Sequence, residues 1–502
     1  MKKMNLLVMS LVSAAALSFT SCSSNDDLAG DNAGQEKVDG FYMTLNVQTP
    51  KADGTRTAVI DPTENATAVE AAIKTGTFYL VDKDNKIVFS ENLKDLNWSG
   101  AVNGKDGTTT QQDGNKTFEI KVENVEAGQT YRVYFLAGSN KPAGGMNFAA
   151  TSNNFFTATK SFASPFANDN DFAMFNQNDA DVNGNGYSVE FIKANNNKQN
   201  PAKVTYTSAD GNTTQKDAAI KVERVVARID APSSTSAIST DDPAGASEAL
   251  KVALKDAREK VASFELTNYA ISNLANKSYV MQTWNSAALV IPSDKEGFSY
   301  IQPKAAFGGD YNYENGGFTT TEDTKVNYVF ENNSTDAPTS MYFEYKVTLK
   351  NEKFEGDADF KNDATNAGTF YRYNNVIYTS FAQIYKDYAD VANLFGEGMD
   401  ADKMKNELKS VIDNETELAA FRQKYNIEVF KGGKTYYKQV IKDKHIAGII
   451  QRNSIYRLKV NNIFNVGAQV PNGKTTENEF YYLNVTVTVN PWVLNNQDVD
   501  LK

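Results

Sequence analysis

The stretch YYLNVTVTVNPWVLNNQDVDLK, residues 481–502, carries the clearest structural pattern in this chain. Its first half alternates apolar residues with Asn and Thr, the apolar ones being Leu483, Val485, Val487 and Val489. A period of two places successive side chains on opposite faces, which is typical of a half-buried β-strand. The sequence therefore predicts a strand over residues 481–490.

The residues beyond this strand predict a separate extended segment. Pro491 has no N–H to donate to a β-ladder, so a natural break in the strand is predicted there. Two short apolar groups follow, namely Trp492, Val493 and Leu494, and then Val499 and Leu501. Chain ends fray unless they are paired. Residues 481–502 are thus predicted to form a final strand with an extension that requires a partner.

Length and composition place the chain among ordinary globular proteins and exclude some partners. It has 502 residues, which suffices for two or three domains, because single cores rarely grow beyond about 300 residues. Hydrophobic residues make up 41% and charged residues 23%. The net charge of -11 repels nucleic acid and anionic membrane surfaces. No nucleic-acid partner is therefore expected.

The first 22 residues resemble a bacterial lipoprotein signal. Lys2 and Lys3 precede an apolar run over residues 6–19, which is too short for a membrane span and fits a secretory signal. The run ends at the sequence FTSC, whose Cys22 is the only cysteine in the chain. We predict a signal peptide over residues 1–21 and lipidation of Cys22, so that the lipid holds the precursor on the outer membrane.

The body of the chain predicts a mainly β fold. It contains 25 Tyr and 29 Phe, and short alternating runs are separated by turn residues. The first run, FYMTLNVQ over residues 41–48, places four apolar residues on one face, namely Phe41, Met43, Leu45 and Val47. We predict two β-sandwich domains, over residues 57–218 and 219–480, with a few decorating helices.

Three segments carry helix signals. Residues 242–257 are predicted to begin a helix at an Asp242 cap, with Pro243 in the first turn. Two further helices are predicted near residues 400–412 and 415–425. The rest of the chain lacks such patterns, so the helices are expected to decorate a β framework.

The sequence offers no recognisable catalytic motif, and we predict that the chain is not an enzyme. His445 is the only histidine, which excludes Ser-His-Asp triads and metal sites with several histidines. The segment FKGGKTYY near Lys434 superficially resembles a phosphate loop, but its first glycine is missing, since Glu428 occupies that position. It is better interpreted as a turn before a strand.

One segment satisfies the spacing of an EF-hand calcium loop. In DADVNGNGYSVE, residues 179–190, the candidate ligands are Asp179, Asp181, Asn183 and Glu190. The flanking sequences are not amphipathic helices, and Gly186 replaces the usual apolar residue at position eight. Asn, Asp and Gly cluster in ordinary turns as well. A turn is favoured, with bound calcium as the alternative, and no other cofactor is expected.

Several segments together resemble the Bacteroidales fimbrillins, the subunits of type V pili. They are KVERVVAR at 221–228, RNSIYRLKVNNI at 452–463 and NVTVTVNPWVLNNQDVDL at 484–501, with NDFAMFNQ at 170–177 as a weaker match. The resemblance implies a fold of two transthyretin-like, fimbrillin β-sandwich domains with a C-terminal donor strand.

The resemblance also implies a route of assembly. The lipidated precursor reaches the cell surface, and an Arg- or Lys-specific protease then cuts after the first strand. Here the leaving strand corresponds to residues 41–48, and the cut falls between Arg56 and Thr57, with Lys51 as the fallback site. Residues 22–56 would be removed, and the C-terminal strand of another copy would fill the groove. The partners implied are further copies, anchor and tip subunits, and the protease.

Two alternatives to a structural stalk subunit remain open. A tip or accessory adhesin of the same family need not donate a strand, so a complete donor-like tail favours the stalk. A glycan-binding surface lipoprotein would need exposed aromatic platforms. The three tryptophans are Trp98, Trp284 and Trp492, which are scattered along the sequence. This alternative is therefore ranked lower.

Overall fold

The chain is described by a computed structural model. The structure describes residues 41–48, 64–65, 70, 74–94, 115–149, 154–158, 166–168, 171–177, 186–192, 196–208, 211, 214–285, 288–301, 319–320, 326–350, 368–441, 450–471 and 483–493. The strands are numbered β1 to β32 and the helices α1 to α4 in chain order.

The first large sheet contains eleven strands from the N-terminal half of the chain. They are β1 (Phe41–Gln48), β3 (Gly76–Val81), β4 (Ile87–Leu93), β5 (Asn115–Val122), β6 (Thr130–Ala137), β10 (Met174–Asn176), β11 (Tyr187–Glu190), β12 (Ala202–Lys203), β13 (Thr205–Thr207), β14 (Thr214–Lys216) and β15 (Ala219–Arg224). The order β12-β1-β15-β10-β6-β11-β13-β14 forms its main path, while β5 pairs with β1, and β3 links β4 to β6.

Two further sheets contain strands from residue 227 onward, together with the short strand β2 from near the N-terminus. The six-stranded sheet contains β2 (Glu64–Asn65), β16 (Ala227–Asp230), β17 (Ser233–Ser234), β25 (Val326–Val329), β31 (Ser454–Ile463) and β32 (Leu483–Val493). The four-stranded sheet contains β18 (Val261–Ser272), β24 (Thr319–Thr320), β26 (Ser340–Leu349) and β30 (Lys434–Val440). The chain passes from the first sheet to the six-stranded sheet within three residues, between the end of β15 and the start of β16.

Small sheets complete the β structure. The three-stranded sheet contains β27 (Phe370–Tyr373), β28 (Val376–Tyr378) and β29 (Glu428–Phe430). Four strand pairs are β7 (Phe155–Thr157) with β20 (Lys277–Tyr279), β8 (Ala167–Asn168) with β9 (Asp171–Phe172), β19 (Leu274–Ala275) with β23 (Tyr300–Ile301), and β21 (Thr283–Asn285) with β22 (Ala288–Val290).

Four α-helices lie in the described part of the chain: α1 (Glu248–Lys260), α2 (Phe381–Asp387), α3 (Ala401–Val411) and α4 (Glu415–Tyr425). The mainly β prediction with a few helices is confirmed, and α3 and α4 lie where the sequence predicted them. Asp400 caps α3 and Asn414 caps α4 through side-chain oxygens.

The predicted start of α1 is wrong. The helix begins at Glu248, where the Ser247 hydroxyl accepts a hydrogen bond from the Leu250 amide, instead of at an Asp242 cap. Gly245 has a φ of 82°, which places it in the left-handed region outside a right-handed helix. The helix therefore starts after this glycine, at the next residue with a side chain able to cap it.

Buried side chains gather in three clusters. The first lies mainly under the eleven-stranded sheet, the second between the six-stranded and four-stranded sheets, and the third among α2, α3, α4 and the three-stranded sheet. Helices α2, α3 and α4 belong to the segment between β26 and β30, two strands that pair directly with each other. They thus form a helical decoration with its own core. The domain boundary predicted at residues 218/219 stays a prediction.

Candidate functional site: the groove filled by the first strand

Strand β1 lies inside the eleven-stranded sheet, with neighbours on both sides. All eight of its residues pair with β5 in an antiparallel ladder, from Phe41 with Val122 to Gln48 with Asn115. On its other side it pairs in parallel with β12 and then with β15. Strand β1 is one partner in each of these ladders. Its removal would therefore leave two rows of backbone N–H and C=O groups facing an open groove.

The inward face of β1 fills that groove with apolar side chains. Phe41 is 2% exposed, and Met43, Leu45 and Val47 are fully buried, so the predicted period-two face is present. The Phe41 ring lies 5.2 Å from the ring of Phe191, centroid to centroid. Burying a side chain of this size stabilises a fold by roughly 1.5 to 3 kcal/mol. The four together make β1 a substantial part of the core.

The outward face of β1 is uncharged and half-buried. Tyr42, Thr44 and Asn46 alternate with the buried residues. The Asn46 side-chain amide donates to Asp217 Oδ1 at 3.2 Å, and the same carboxylate accepts from Lys203 Nζ through its other oxygen at 2.5 Å. The resident strand therefore meets charged neighbours without carrying charge itself.

Strand β32, Leu483–Val493, is the described part of the stretch at residues 481–502. It pairs antiparallel with β31, from Leu483 with Ile463 to Pro491 with Ser454. The predicted break at Pro491 is wrong as far as the strand itself is concerned, because the strand continues to Val493. Pro491 is nevertheless the last residue paired with β31, which is where a residue without an N–H is tolerated.

Beyond Pro491 the strand changes partner. Trp492 pairs with Glu64 and Val493 with Asn65, both in the parallel strand β2. Strand β2 follows the predicted cut, so the start of the tail lies against the segment that a mature chain would keep. A two-residue strand carries no periodic pattern, so this pair was not predicted.

Several predicted site residues lie outside the described part of the chain. They are Cys22, Lys51, Arg56 and Thr57 near the N-terminus, Asp179, Asp181 and Asn183 of the candidate calcium loop, His445, Trp98, and Leu494, Val499 and Leu501 of the tail. Their assignments stay predictions.

Strand β10 precedes the calcium candidate, and β11 forms its last four residues. An EF-hand loop lies between helices, so these strands agree with the turn that we favour. Glu190 is an exposed residue of β11 whose backbone pairs with Thr130. A Cβ on Gly186 would lie 2.5 Å from the Thr207 carbonyl oxygen, so close packing of strands explains this glycine. Calcium binding itself stays untested.

The FKGGKTYY segment forms a turn ahead of a strand, as interpreted from the sequence. Gly432 and Gly433 have φ angles of 60° and 75°, in the region that glycine favours, and β30 begins at Lys434. In the described residues no three His, Cys, Asp or Glu side chains gather as a metal site would require. None of the described helices is both long and apolar enough to cross a membrane.

Residues 428–498 match the family model described as "Major fimbrial subunit protein type IV, Fimbrillin, C-terminal". These residues are similar to the C-terminal region of the fimbrillins. The matched residues run from β29 to beyond β32 and thus include the ladder that ends at Pro491. The resemblance to fimbrillins seen in the sequence is confirmed, and the family consists of structural fimbrial subunits, in agreement with the prediction that this chain is not an enzyme.

Solved structures offer more distant likenesses. A fimbrilin (fimA) from Porphyromonas gingivalis W83 is 15% identical with a TM-score of 0.45, covering 92% of this chain and all of that one. A "putative cell adhesion protein" from Parabacteroides distasonis is 13% identical with a TM-score of 0.44, covering 91% of this chain and 99% of the other. A comparison with curated protein sequences finds no significant match. The assignment rests on the family match.

A buried polar network joins strands β15 and β16 to the residue Glu70 and to the loop that precedes β31. Its centre is Glu70, which is 2% exposed. Arg228 donates to Glu70 Oε1 at 2.9 Å, and the Tyr328 hydroxyl donates to the same oxygen at 3.0 Å. Arg224, at the end of β15, donates to the Glu70 carbonyl oxygen and to Asn453 Oδ1 at 3.0 Å.

A second buried cluster surrounds Arg452, whose side chain is fully buried. Arg452 lies 2.8 Å from Glu331 Oε2 and donates to the carbonyl oxygens of Val280 and Tyr279 at 2.9 and 2.6 Å. Glu223 Oε1 lies 3.8 Å from Arg452 and accepts no hydrogen bond from the described residues. Two carboxylates thus share one guanidinium in the interior.

These clusters were missed from the sequence, although they lie in the segments that carry the resemblance. Glu223, Arg224 and Arg228 belong to KVERVVAR, and Arg452 opens RNSIYRLKVNNI. The available signal was a charged residue inside an otherwise apolar strand pattern. Charged side chains are rarely buried unless they are paired. Arg228 has a local partner in Asp230, but Glu70, Glu331 and Asn453 lie more than 100 residues from the arginines that they contact, beyond the reach of local patterns.

Burial raises the pKa of Glu223 from its ordinary value of 4.5 to about 8, while Arg452 opposes this shift. A carboxyl whose pKa is raised by folding stabilises the fold while it is protonated. That contribution is complete below about pH 4.5 and is lost as the pH rises towards 8. The free energy of unfolding should therefore fall as the pH rises through this range.

We expect Glu223→Gln to gain stability relative to the wild type as the pH rises from 5 to 8, because glutamine mimics the protonated carboxyl. The expected gain is on the order of 1 kcal/mol per pH unit, set by one proton per unfolding event. Urea unfolding of both proteins at each pH measures it. Glu119→Gln, on the exposed side of β5, is the control, and parallel curves for wild type and Glu223→Gln would refute the assignment.

Proposed function

We propose that this chain is a structural stalk subunit of a bacterial surface fimbria, matured by proteolysis and polymerised by strand exchange. The observation that carries the proposal is the placement of β1: a strand with four buried apolar side chains, paired on both sides, just ahead of the predicted cut at Arg56. The precursor would be a lipoprotein, lipidated at Cys22, that reaches the cell surface through the periplasm and is anchored to the outer membrane.

The cut acts by removing a tether. Before it, β1 is joined to Glu70 by the intervening chain, and linkage of this kind keeps a strand at an effective concentration in the millimolar range. After a cut between Arg56 and Thr57, β1 belongs to a separate fragment that dilutes away once released. The groove can then accept a strand from another copy, since exposed strand edges and apolar troughs readily accept strands.

The replacing strand comes from the tail of a neighbouring copy. Main-chain hydrogen bonds contribute roughly 1 kcal/mol net each, so about eight of them add to the burial of apolar side chains. A joint of this strength is long-lived once formed. Anchor and tip subunits and an Arg- or Lys-specific protease would complete the assembly, and the role needs no catalytic site in the subunit.

Limited digestion with trypsin tests this function. The purified protein lacking its signal peptide should be cut near Arg56 and then form ladders of polymers that resist SDS. Arg56→Gln with Lys51→Gln should stay uncut at this loop and monomeric, and Lys409→Gln on the surface of α3 is the control. A wild-type protein that remains monomeric after a verified cut would contradict the stalk function.

A glycan-binding lipoprotein is the alternative from another class, and the described part of the chain gives it little support. Trp284 is 2% exposed, and its indole nitrogen donates to Gln282 Oε1 at 3.0 Å, so it forms no exposed platform. An accessory or tip adhesin would share the groove but would not need the donor tail. Polymerisation by a single purified chain separates the stalk from both alternatives.

A further inference from the structure

Charged side chains flank the outer face of β1, and three of them are Lys121, Lys203 and Asp217. Their side chains are 51%, 55% and 42% exposed. The register places Lys121 opposite residue 42 and Lys203 opposite residue 44, while Asp217 contacts residue 46. These are the three successive outward positions of β1, where the resident strand is uncharged.

The tail offers charges at the same spacing. In residues 492–502, Val499 and Leu501 share one face of an extended chain, and the opposite face carries Asp498, Asp500 and Lys502. Trp492 and Leu494 lie on the same face as Asp498 and Asp500. If that face entered the groove, both aspartates would be buried, which is costly. If the tail replaces β1 as proposed above, Val499 and Leu501 face the groove.

Two registers seat Val499 and Leu501 in fully buried positions of β1, whereas a third, at the positions of residues 41 and 43, would place Lys502 beside Lys203. In the first they occupy the positions of residues 43 and 45, and in the second those of 45 and 47, all of which are fully buried. The first register forms three pairs of opposite charge: Asp498 with Lys121, Asp500 with Lys203, and Lys502 with Asp217. Glu119 also lies opposite residue 44, so it faces an aspartate in both registers, Asp500 in the first and Asp498 in the second, and Lys198 lies 3.7 Å from it.

The second register keeps one pair of opposite charge, Asp498 with Lys203, and forms two pairs of like charge. It places Asp500 beside Asp217 and Lys502 beside Lys221, which pairs with residue 48. It also places Gln497 at the fully buried position of residue 43, whereas the first register places Gln497 at the position of residue 41, the first residue of β1. Apolar burial by Val499 and Leu501 is equal in the two, so charge and polar burial decide between them.

We propose that Lys121, Lys203 and Asp217 select a second copy of this chain and set its register, by pairing with Asp498, Asp500 and Lys502 of the incoming tail. The inference rests on the proposed strand exchange. Exposed ion pairs contribute little to final stability and are screened by salt. Their expected effect is therefore on the rate and register of insertion, and they favour the charged tail over the uncharged β1.

Capture of fluorescent peptides by trypsin-cut full-length protein tests the proposal. The two peptides cover residues 492–502, one native and one with Asp498→Lys and Asp500→Lys. The two groove proteins are the wild type and the Lys121→Glu/Lys203→Glu variant, and Lys409→Glu on α3 is the control for net charge. At low salt we expect each mismatched combination to be captured about tenfold more slowly than each matched one.

The difference should disappear near 0.5 M salt, where screening is short-ranged, at about 4 Å. Equal rates for matched and mismatched combinations at low salt would overturn the charge selection while leaving strand exchange intact. Absence of capture in every combination would overturn strand exchange itself. Both lysines are exposed, but if the groove variant fails to fold, the two peptides on wild-type protein still decide, since only the native peptide should be captured rapidly.

Discussion

Deletion of residues 494–502 should abolish polymer formation while leaving the subunit folded. Strand β32 ends at Val493, and its pairs with β31 and β2 all lie at or before that residue. The deletion therefore keeps every described ladder and removes the part of the proposed donor segment, residues 492–502, that lies beyond β32. We expect the free energy of unfolding to change by less than about 1 kcal/mol, as for a surface change away from packed features.

Size-exclusion chromatography and SDS gels after trypsin treatment measure the loss of polymers, and urea unfolding measures stability. Deletion from Trp492 onward is the informative comparison, because it also removes the two residues paired with β2. Unfolding of the shorter deletion would show that the tail belongs to its own subunit, and undiminished polymerisation would show that another segment is the donor.

Replacement of Arg452 by alanine should destabilise the subunit by about 3 to 5 kcal/mol, the usual cost of removing one partner of a buried ion pair. The change would leave Glu331 buried without its closest cation and would remove the hydrogen bonds that Arg452 donates to the carbonyl oxygens of Val280 and Tyr279. Such a loss is a large fraction of the stability of a typical domain.

Arg457→Ala is the matched control for this change. Arg457 lies in β31 and pairs with Asp230 at 2.8 Å, but its side chain is 37% exposed, so its loss should cost less than about 1 kcal/mol. Thermal or urea unfolding of the uncut proteins distinguishes the two. Equal effects of the two replacements would contradict the role of Arg452 in the buried network.

The sequence predicts those elements whose signals are local. The bounds of β1 follow from its period of two, and α3 and α4 follow from their caps and apolar stripes. The start of α1 was misplaced because Asp242 and Ser247 are both good caps and only the φ of Gly245 decides between them. Local patterns thus fix the type of an element better than its ends.

Features built from distant residues could not be predicted in this way. Pairing of β2 with β32 joins residues more than 400 positions apart, and Glu70 meets partners from three separate strands or loops. The break predicted at Pro491 failed for the same reason, since β2 supplies a new partner where the ladder with β31 ends. Only the fold brings these residues together.

The peptide composition of the polymer tests the account most directly. SDS-resistant polymers formed after trypsin treatment can be isolated, denatured fully and analysed by mass spectrometry, together with the fraction released during assembly. We predict that chains in the polymer begin at Thr57 and that the fragment containing residues 41–48 appears only in the released fraction. Polymers that retain this fragment in amounts equal to the chain would contradict the replacement of β1 by a strand from a second copy.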